Sequence, residues 1–246
     1  MIPIPIAVQA YSYREIYNTN PLQALKEIKA AGYDGVELYG GEYQGELYAA
    51  MLRECGLVCA GWHTRLDFLQ KDFDTILRKN LAVGNKYMCI PWFNAPDVDG
   101  WKKFADELQT MAARLAPYGI KTGYHSHKHD HEEIAPGVTP WDIVAQNTGR
   151  ELILQLDIGN AASAGVDPCE VLTKYENRSQ SIHFKPYSGK DGFHTAIGED
   201  DVSWEKVMQF CREKGNTEWI VVEYEEEDPL SICKNSLDFL RKFTKS

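Results

Sequence analysis

The chain has 246 residues, 43% of them apolar, and carries a net charge of −10. That length and apolar share suffice for one large α/β unit or two small ones, while the acidic balance argues against nucleic acid as a partner, because the phosphate backbone needs a basic face. The start, Met-Ile-Pro-Ile-Pro-Ile, has no basic lead-in, and no stretch reaches the roughly 18 apolar residues of a membrane helix; six scattered cysteines read as reduced, mostly core thiols, so no membrane association and a cytoplasmic location are expected.

Strand-like runs and amphipathic stretches alternate along the chain. Residues 6–11 form the first run and 21–32 the first helix, in which Leu22, Leu25, Ile28 and Lys29 keep helical spacing, Pro21 suits the first turn and Gly32 the stop. Strand 35–39 then precedes helix 46–56, strand 57–63 precedes 73–83, and strand 87–92 precedes 101–116. The pattern continues with 121–125 before 139–146, 152–157 before 168–175, 181–185 before 204–214, and 219–223 before 231–243. Continuous apolar strands separated by helices imply a parallel sheet with both faces covered. Eight such units in 246 residues fit a closed (β/α)8 TIM barrel. No linker or low-complexity stretch interrupts them, so residues 1–246 are expected to form a single domain.

Barrels of this kind place their chemistry at the carboxyl ends of the strands. Those ends carry Tyr11, Glu37, His63, Trp92, the segment from His125 to Glu133, Asp157, His183 with Lys185, and Glu223. Histidine is concentrated there: His63, His125, His127, His129, His131 and His183, with His194 in the loop after the seventh strand. Three of the ends, Leu-Gln-Leu-Asp157, Ser-Ile-His183 and Val-Val-Glu223, would bring two oxygens and a nitrogen onto one divalent cation. Mixed ligation of this kind suits Mn, Co or Zn better than Mg. Such an ion can hold two adjacent oxygens of a sugar and polarise a carbonyl while a side chain removes the α-proton.

Structural readings compete at each position. Asp157 could simply cap the turn that follows, and His183 could be a hydrogen-bonded core histidine. Glu223 lies in an apolar run where an unpaired carboxylate is costly to bury, whereas Glu225, Glu226 and Glu227 read as a solvated acidic loop. Lys185 shares a strand face with His183 and could neutralise an enediolate oxygen. Glu37 and His63 could hydrogen-bond sugar hydroxyls, Trp92 offers a flat apolar face, and selectivity would lie in these residues and in the loop carrying His194. No Gly-rich phosphate cradle follows the seventh or eighth strand, which favours a non-phosphorylated sugar or polyol.

The ordered set Leu-Asp157-Ile-Gly-Asn160, Ala-Gly165-Val-Asp167-Pro168, Ile-His183-Phe-Lys185, Ile197-Gly198-Glu199-Asp-Asp201-Val-Ser-Trp204 and Val-Val-Glu223 resembles the sugar phosphate isomerase/epimerase superfamily of xylose isomerase-like barrels. The resemblance spans nearly the whole chain. It implies one divalent metal held by a carboxylate after strand five, an Asp after strand six, a His after strand seven and a Glu after strand eight, and often a homo-oligomer. Asp157, His183 and Glu223 match directly. Epimerases of the group carry a Glu at the end of strand five, where this chain reads Gly-Tyr124-His125-Ser126-His127. It is similar here to a branch with a Tyr-His-Asn-His…Glu-Phe signature, with Ser126 in place of Asn and Glu132-Glu133 in place of Glu-Phe.

Two arrangements follow at strand five: His125 and His127 act as acid/base groups, since imidazole titrates near neutrality, with Glu132 as the fourth ligand, or His125 itself binds the metal. The leading functional expectation is a metal-dependent isomerase or epimerase acting on a keto-sugar through an enediolate, with His125, His127, Lys185 and Glu223 in catalysis. A lyase or dehydratase on the same scaffold is the main alternative. A non-catalytic sugar-binding barrel is the third.

Overall fold

The computed structural model describes residues 3–41 and 44–244. Eight strands, β1 (Ile6–Gln9), β2 (Gly35–Tyr39), β3 (Val58–His63), β4 (Tyr87–Ile90), β5 (Lys121–His125), β6 (Ile153–Gln155), β7 (Ser181–Phe184) and β8 (Trp219–Val222), alternate with helices. They form one sheet in the order β6-β5-β4-β3-β2-β1-β8-β7, and every pairing is parallel. The two outer strands meet through a parallel bridge between Asp157 and His183, reinforced by His183 N donating to Leu156 O at 2.9 Å and Leu154 N donating to Arg178 O at 2.9 Å. A (β/α)8 barrel results, as the eight alternating units predict.

Local chemistry explains the helices. Asn20 caps helix Pro21–Ala31 by accepting from Gln23 N, and Gly32 ends it at φ 104°, a left-handed conformation that glycine adopts without strain. Asp97 likewise caps Val98–Leu115, whose Trp101, Phe104, Leu108 and Met111 are buried. Among the described residues no helix is long and apolar enough to cross a membrane. All six cysteines are free, four of them buried.

Several strands are shorter than the sequence suggests, and the differences fall at the site. The first strand stops at Gln9, whose side-chain oxygen accepts from Tyr11 N and starts the 3-10 turn Ala10–Tyr13. The fourth stops before Pro91, which has no backbone donor to offer a ladder. Asp157, Lys185 and Glu223 lie just past the regular parts of β6, β7 and β8.

Side chains two apart on a strand share a face, which layers the barrel interior. Small or apolar groups, Ala7, Gly123, Ile153, Ser181 and Val221, lie one step below Gln9, His125, Gln155, His183 and Glu223. At Gly123 an added Cβ would sit 2.1 Å from Ile153 O. The upper layer is polar and buried.

Candidate active site

The four residues His125, Asp157, His183 and Glu223 each offer a ligand atom, and these atoms lie within 4.8 Å of one another. Asp157 caps helix Ile158–Ser163, its Oδ1 accepting from Asn160 N at 2.8 Å, while Oδ2 is buried with no hydrogen-bond partner. The cap and the inward-facing oxygen are therefore two atoms of one carboxylate. Ser126 Oγ accepts from Asp157 N at 3.0 Å and ties the end of β5 to this turn. His125 is 2% exposed, and its Nδ1 is also without a partner. Orphaned buried polar atoms are costly, and two of them in one cluster of oxygen and nitrogen donors fit a divalent cation with mixed ligation.

Electrostatics within the cluster are strongly coupled. His183 Nδ1 lies 2.6 Å from Glu223 Oε2, and its Nε2 lies 2.6 Å from Glu37 Oε2. Burial opposes charge on this ring, but Glu37 and Glu223 outweigh it and raise His183 to about 10. Burial would raise Glu223, yet Lys185 and His183 hold it well below the carboxylate range. Asp157 is pushed up to about 6, chiefly by burial, with Lys185 and His183 opposing. His125 is kept far below the usual imidazole value by burial and by the neighbouring His183 and His63 rings.

A cavity of about 480 Å³ opens above the cluster, lined among others by His63, Trp92, His125, His127, Glu223 and Glu225. Trp92 is 58% exposed and its ring meets those of His127 and His129 at centroid distances of 4.7 and 4.5 Å. His127 has an unpartnered Nδ1, and burial lowers it to about 3. Its backbone amide donates to Asp130 Oδ2 at 2.6 Å, and Tyr124 Oη donates to Asp130 Oδ1 at 2.9 Å. The turn after β5 is thereby pinned, with His127 on the cavity wall.

Lys185 is buried and donates to Glu223 Oε1 at 3.3 Å and to Glu225. Burial and the adjacent Glu223 raise Glu225 to about 7. Glu225 is thus part of the cavity and not of a solvated loop, and the signal that distinguishes it from Glu226 and Glu227 is its contact with Lys185.

Other candidate residues are placed differently. Glu132 is 56% exposed and lies 3.8 Å from Lys128 on the surface, because the 3-10 turn Lys128–His131 carries the chain outward before it; the residue gathered with Asp157, His183 and Glu223 is His125. His131 is buried against Trp141 at 5.5 Å between ring centroids. His194 is 64% exposed and 3.7 Å from Glu226, and it does not line the cavity. Glu37 is 1% exposed and lies beneath the cavity rather than on its wall. His63 does line the cavity, but its Nε2 meets Gln155 Oε1 at 2.7 Å and its Nδ1 meets Gln9 Nε2 at 3.3 Å. Its nitrogens are therefore already engaged. Gln9 and Gln155, not anticipated from the sequence, complete this floor.

The molecule is a (β/α)8 barrel with a buried cluster of imidazoles and carboxylates, able to hold a metal ion, at the carboxyl ends of its strands. It belongs to the xylose isomerase-like TIM barrel family, whose profile matches residues 25–243. The rhizopine catabolism protein MocC of Rhizobium meliloti is 26% identical to it, with 89% of this chain and 81% of that protein aligned. An inosose dehydratase of Clostridium perfringens is 24% identical over 91% of this chain and 87% of its own length. Among solved structures, a sugar phosphate isomerase/epimerase of Parabacteroides distasonis superposes with a TM-score of 0.82 at 18% identity, covering 97% of this chain and 94% of that one. The IolI protein, solved with a bound zinc atom, superposes with a TM-score of 0.73 at 16% identity, covering 98% and 96%. At such identities the structural likeness speaks for the fold.

Proposed function

We propose that this barrel is a divalent-metal-dependent isomerase or epimerase that removes a proton beside the carbonyl of a non-phosphorylated sugar or polyol. The observation that carries this reading is the convergence of His125, Asp157, His183 and Glu223 beneath an open cavity, with Asp157 Oδ2 and His125 Nδ1 lacking protein partners. A cation bound there would polarise a carbonyl and an adjacent hydroxyl of the substrate. Glu223 faces the cavity as an ionised carboxylate held by His183 and Lys185. His127, neutral and with a free ring nitrogen, is the proton-accepting group on the strand-five side. Lys185 supplies positive charge beside the reacting oxygens. The cavity is lined by Glu223 and Glu225, and its one arginine among the described residues, Arg65, is already paired with Asp67 at 2.8 Å, a setting that disfavours a phosphorylated substrate.

A second reading, a lyase or dehydratase, has its own support. Strand five presents imidazoles where a two-base epimerase of this family would present a carboxylate, and elimination does not require matched carboxylates on both faces. The inosose dehydratase relative aligns along most of the chain. The test is incubation of Mn-, Co- or Zn-loaded protein with a panel of keto-sugars and keto-polyols in D2O. Metal-dependent deuterium entry at the carbon beside the carbonyl, with return of a sugar of unchanged composition, is the expected result. Release of an enone-absorbing product would establish the elimination reading. No exchange and no product across the panel, alongside a control enzyme that exchanges, would overturn both.

A further inference from the structure

Glu37 closes the bottom of the site without touching the cavity, and its surroundings are built around its carboxylate. Oε2 accepts from His183 Nε2 at 2.6 Å and from Gln9 Nε2 at 2.8 Å and lies 3.0 Å from His63 Nε2, and Oε1 accepts from Gln155 Nε2 at 2.8 Å. The β2–β3 register shifts between Val36 and Glu37, which sets Gly61 against the carboxylate: a Cβ there would lie 2.5 Å from Glu37 Oε1. Only glycine leaves the room.

A carboxylate of this kind accepts and does not donate, so it fixes the direction of each hydrogen bond in the layer. Gln9 and Gln155 must turn their amide nitrogens toward Glu37. Gln9 Oε1 is then free to accept from Tyr11 N at 3.1 Å, as it does. Gln155 Oε1 accepts from His63 Nε2 at 2.7 Å, which places the His63 proton on Nε2 and leaves Nδ1 to accept from Gln9. By the same logic His183 must carry a proton on Nε2, and a neutral His183 ring then offers its lone pair at Nδ1. That nitrogen faces Glu223 at 2.6 Å, on the side of the four-donor set.

We propose that Glu37 is a positioning residue that selects the tautomer and ring orientation of His183, so that Nδ1 is presented to the cation. The inference rests on reading His125, Asp157, His183 and Glu223 as a cation site. Hydrogen-bond partners behind a metal-binding histidine typically change affinity by ~10–100-fold when altered, and Glu37 serves His183 while also holding the three groups around it. A glutamine at position 37 keeps the shape but gives up one of the two acceptor oxygens.

The experiment compares wild type, Glu37→Gln and Gly61→Ala by calorimetric titration with Zn and Co, with melting temperature measured on the metal-free proteins and ¹⁵N ring shifts of His183 measured on the zinc-loaded ones. The expected result is a ~10–100-fold weaker affinity for Glu37→Gln and a smaller loss for Gly61→Ala, whose methyl group displaces the carboxylate. In wild type the His183 shifts should show a protonated Nε2 and a metal-bound Nδ1, a pattern lost or mixed in Glu37→Gln. Should Glu37→Gln fail to fold, Gly61→Ala carries the comparison. Wild-type affinity with an unchanged tautomer in the variants overturns the role of Glu37 and leaves the cation site intact. Absence of Zn and Co binding in wild type overturns the cation site, and the role of Glu37 with it.

Discussion

Asp157 and His183 face each other as a parallel bridge across the seam where β6 meets β7, so two of the four candidate cation donors also form part of the barrel's closure. Binding at this pair and holding the seam together are one structural event. A ligand that binds only the folded state adds RT ln(1 + [L]/Kd) to stability, about 2.7 kcal/mol at a hundredfold excess over Kd. For a chain of this size that corresponds to a rise in Tm of roughly 5–10 °C. Thermal denaturation with and without Mn, Co or Zn should show it, and chelation should reverse it.

Substituting Asp157 separates its two jobs. Asn also caps helices well, so Asp157→Asn should keep the bond from Asn160 N while removing the charge at the orphaned oxygen. Its Tm without metal should stay near that of wild type, and the metal-induced rise should vanish. Asp157→Ala should lose the rise as well and also lower the metal-free stability by about 1 kcal/mol through loss of the cap. An undiminished rise in Asp157→Asn would remove this residue from the binding set.

Asp130 should give the strand-five turn a pH dependence of its own. Burial raises its carboxyl to about 8, with the His127 amide and the Tyr124 hydroxyl pulling it partway back. An aspartate in water ordinarily titrates at 3.8, so between about pH 4 and pH 8 the folded chain holds a proton that the unfolded chain has released. Stability from this group is therefore full at low pH and falls as pH rises through that window. Asp130→Asn, neutral throughout, should gain on wild type as the pH of a urea denaturation series is raised from 5 to 8. A stability difference that stays constant over that range would contradict the assignment.

The barrel and three of the four candidate donors are legible in the sequence for a physical reason. Apolar strands buried on both faces stand out against helical periodicity, and a carboxylate or imidazole at the end of such a run is conspicuous: Asp157, His183 and Glu223 all sit there. Glu132 was less accessible to that logic, because an irregular turn has no period from which to read its outward course. Glu37 is recognisable as a strand-end residue, but its depth depends on the register shift with β3 and on the space left by Gly61, both properties of the assembled sheet. Gln9 and Gln155 carry no chemistry of their own to attract notice. Their importance appears only when the alternation that places Ala7 and Ile153 inside the barrel places them there too.

Glu132 supplies a clean negative. Its partner Lys128 lies 3.8 Å away with both side chains more than half exposed, an arrangement worth little in water. Glu132→Ala should change stability by less than about 0.5 kcal/mol and leave metal affinity unaltered, in contrast to Asp157→Asn. A tenfold loss of affinity in calorimetry would mean that the turn after β5 refolds to bring Glu132 inward when the cation binds.

Trp92 tests the cavity mouth. It is 58% exposed, costs little to remove from the fold, and presents a broad ring beside His127 and His129. If a sugar ring lies against it, Trp92→Ala should forfeit an aromatic contact worth about 0.5–1.5 kcal/mol, seen as a roughly 2–12-fold higher KM with Tm unchanged. His127→Gln should behave oppositely, lowering kcat by ~10²–10⁴-fold, the usual contribution of a positioned acid or base, with little change in KM. Steady-state kinetics on the substrate found by deuterium exchange would compare the two. Equal effects on KM in both variants would make His127 a contact for the substrate and move the proton transfer to another group on the cavity wall.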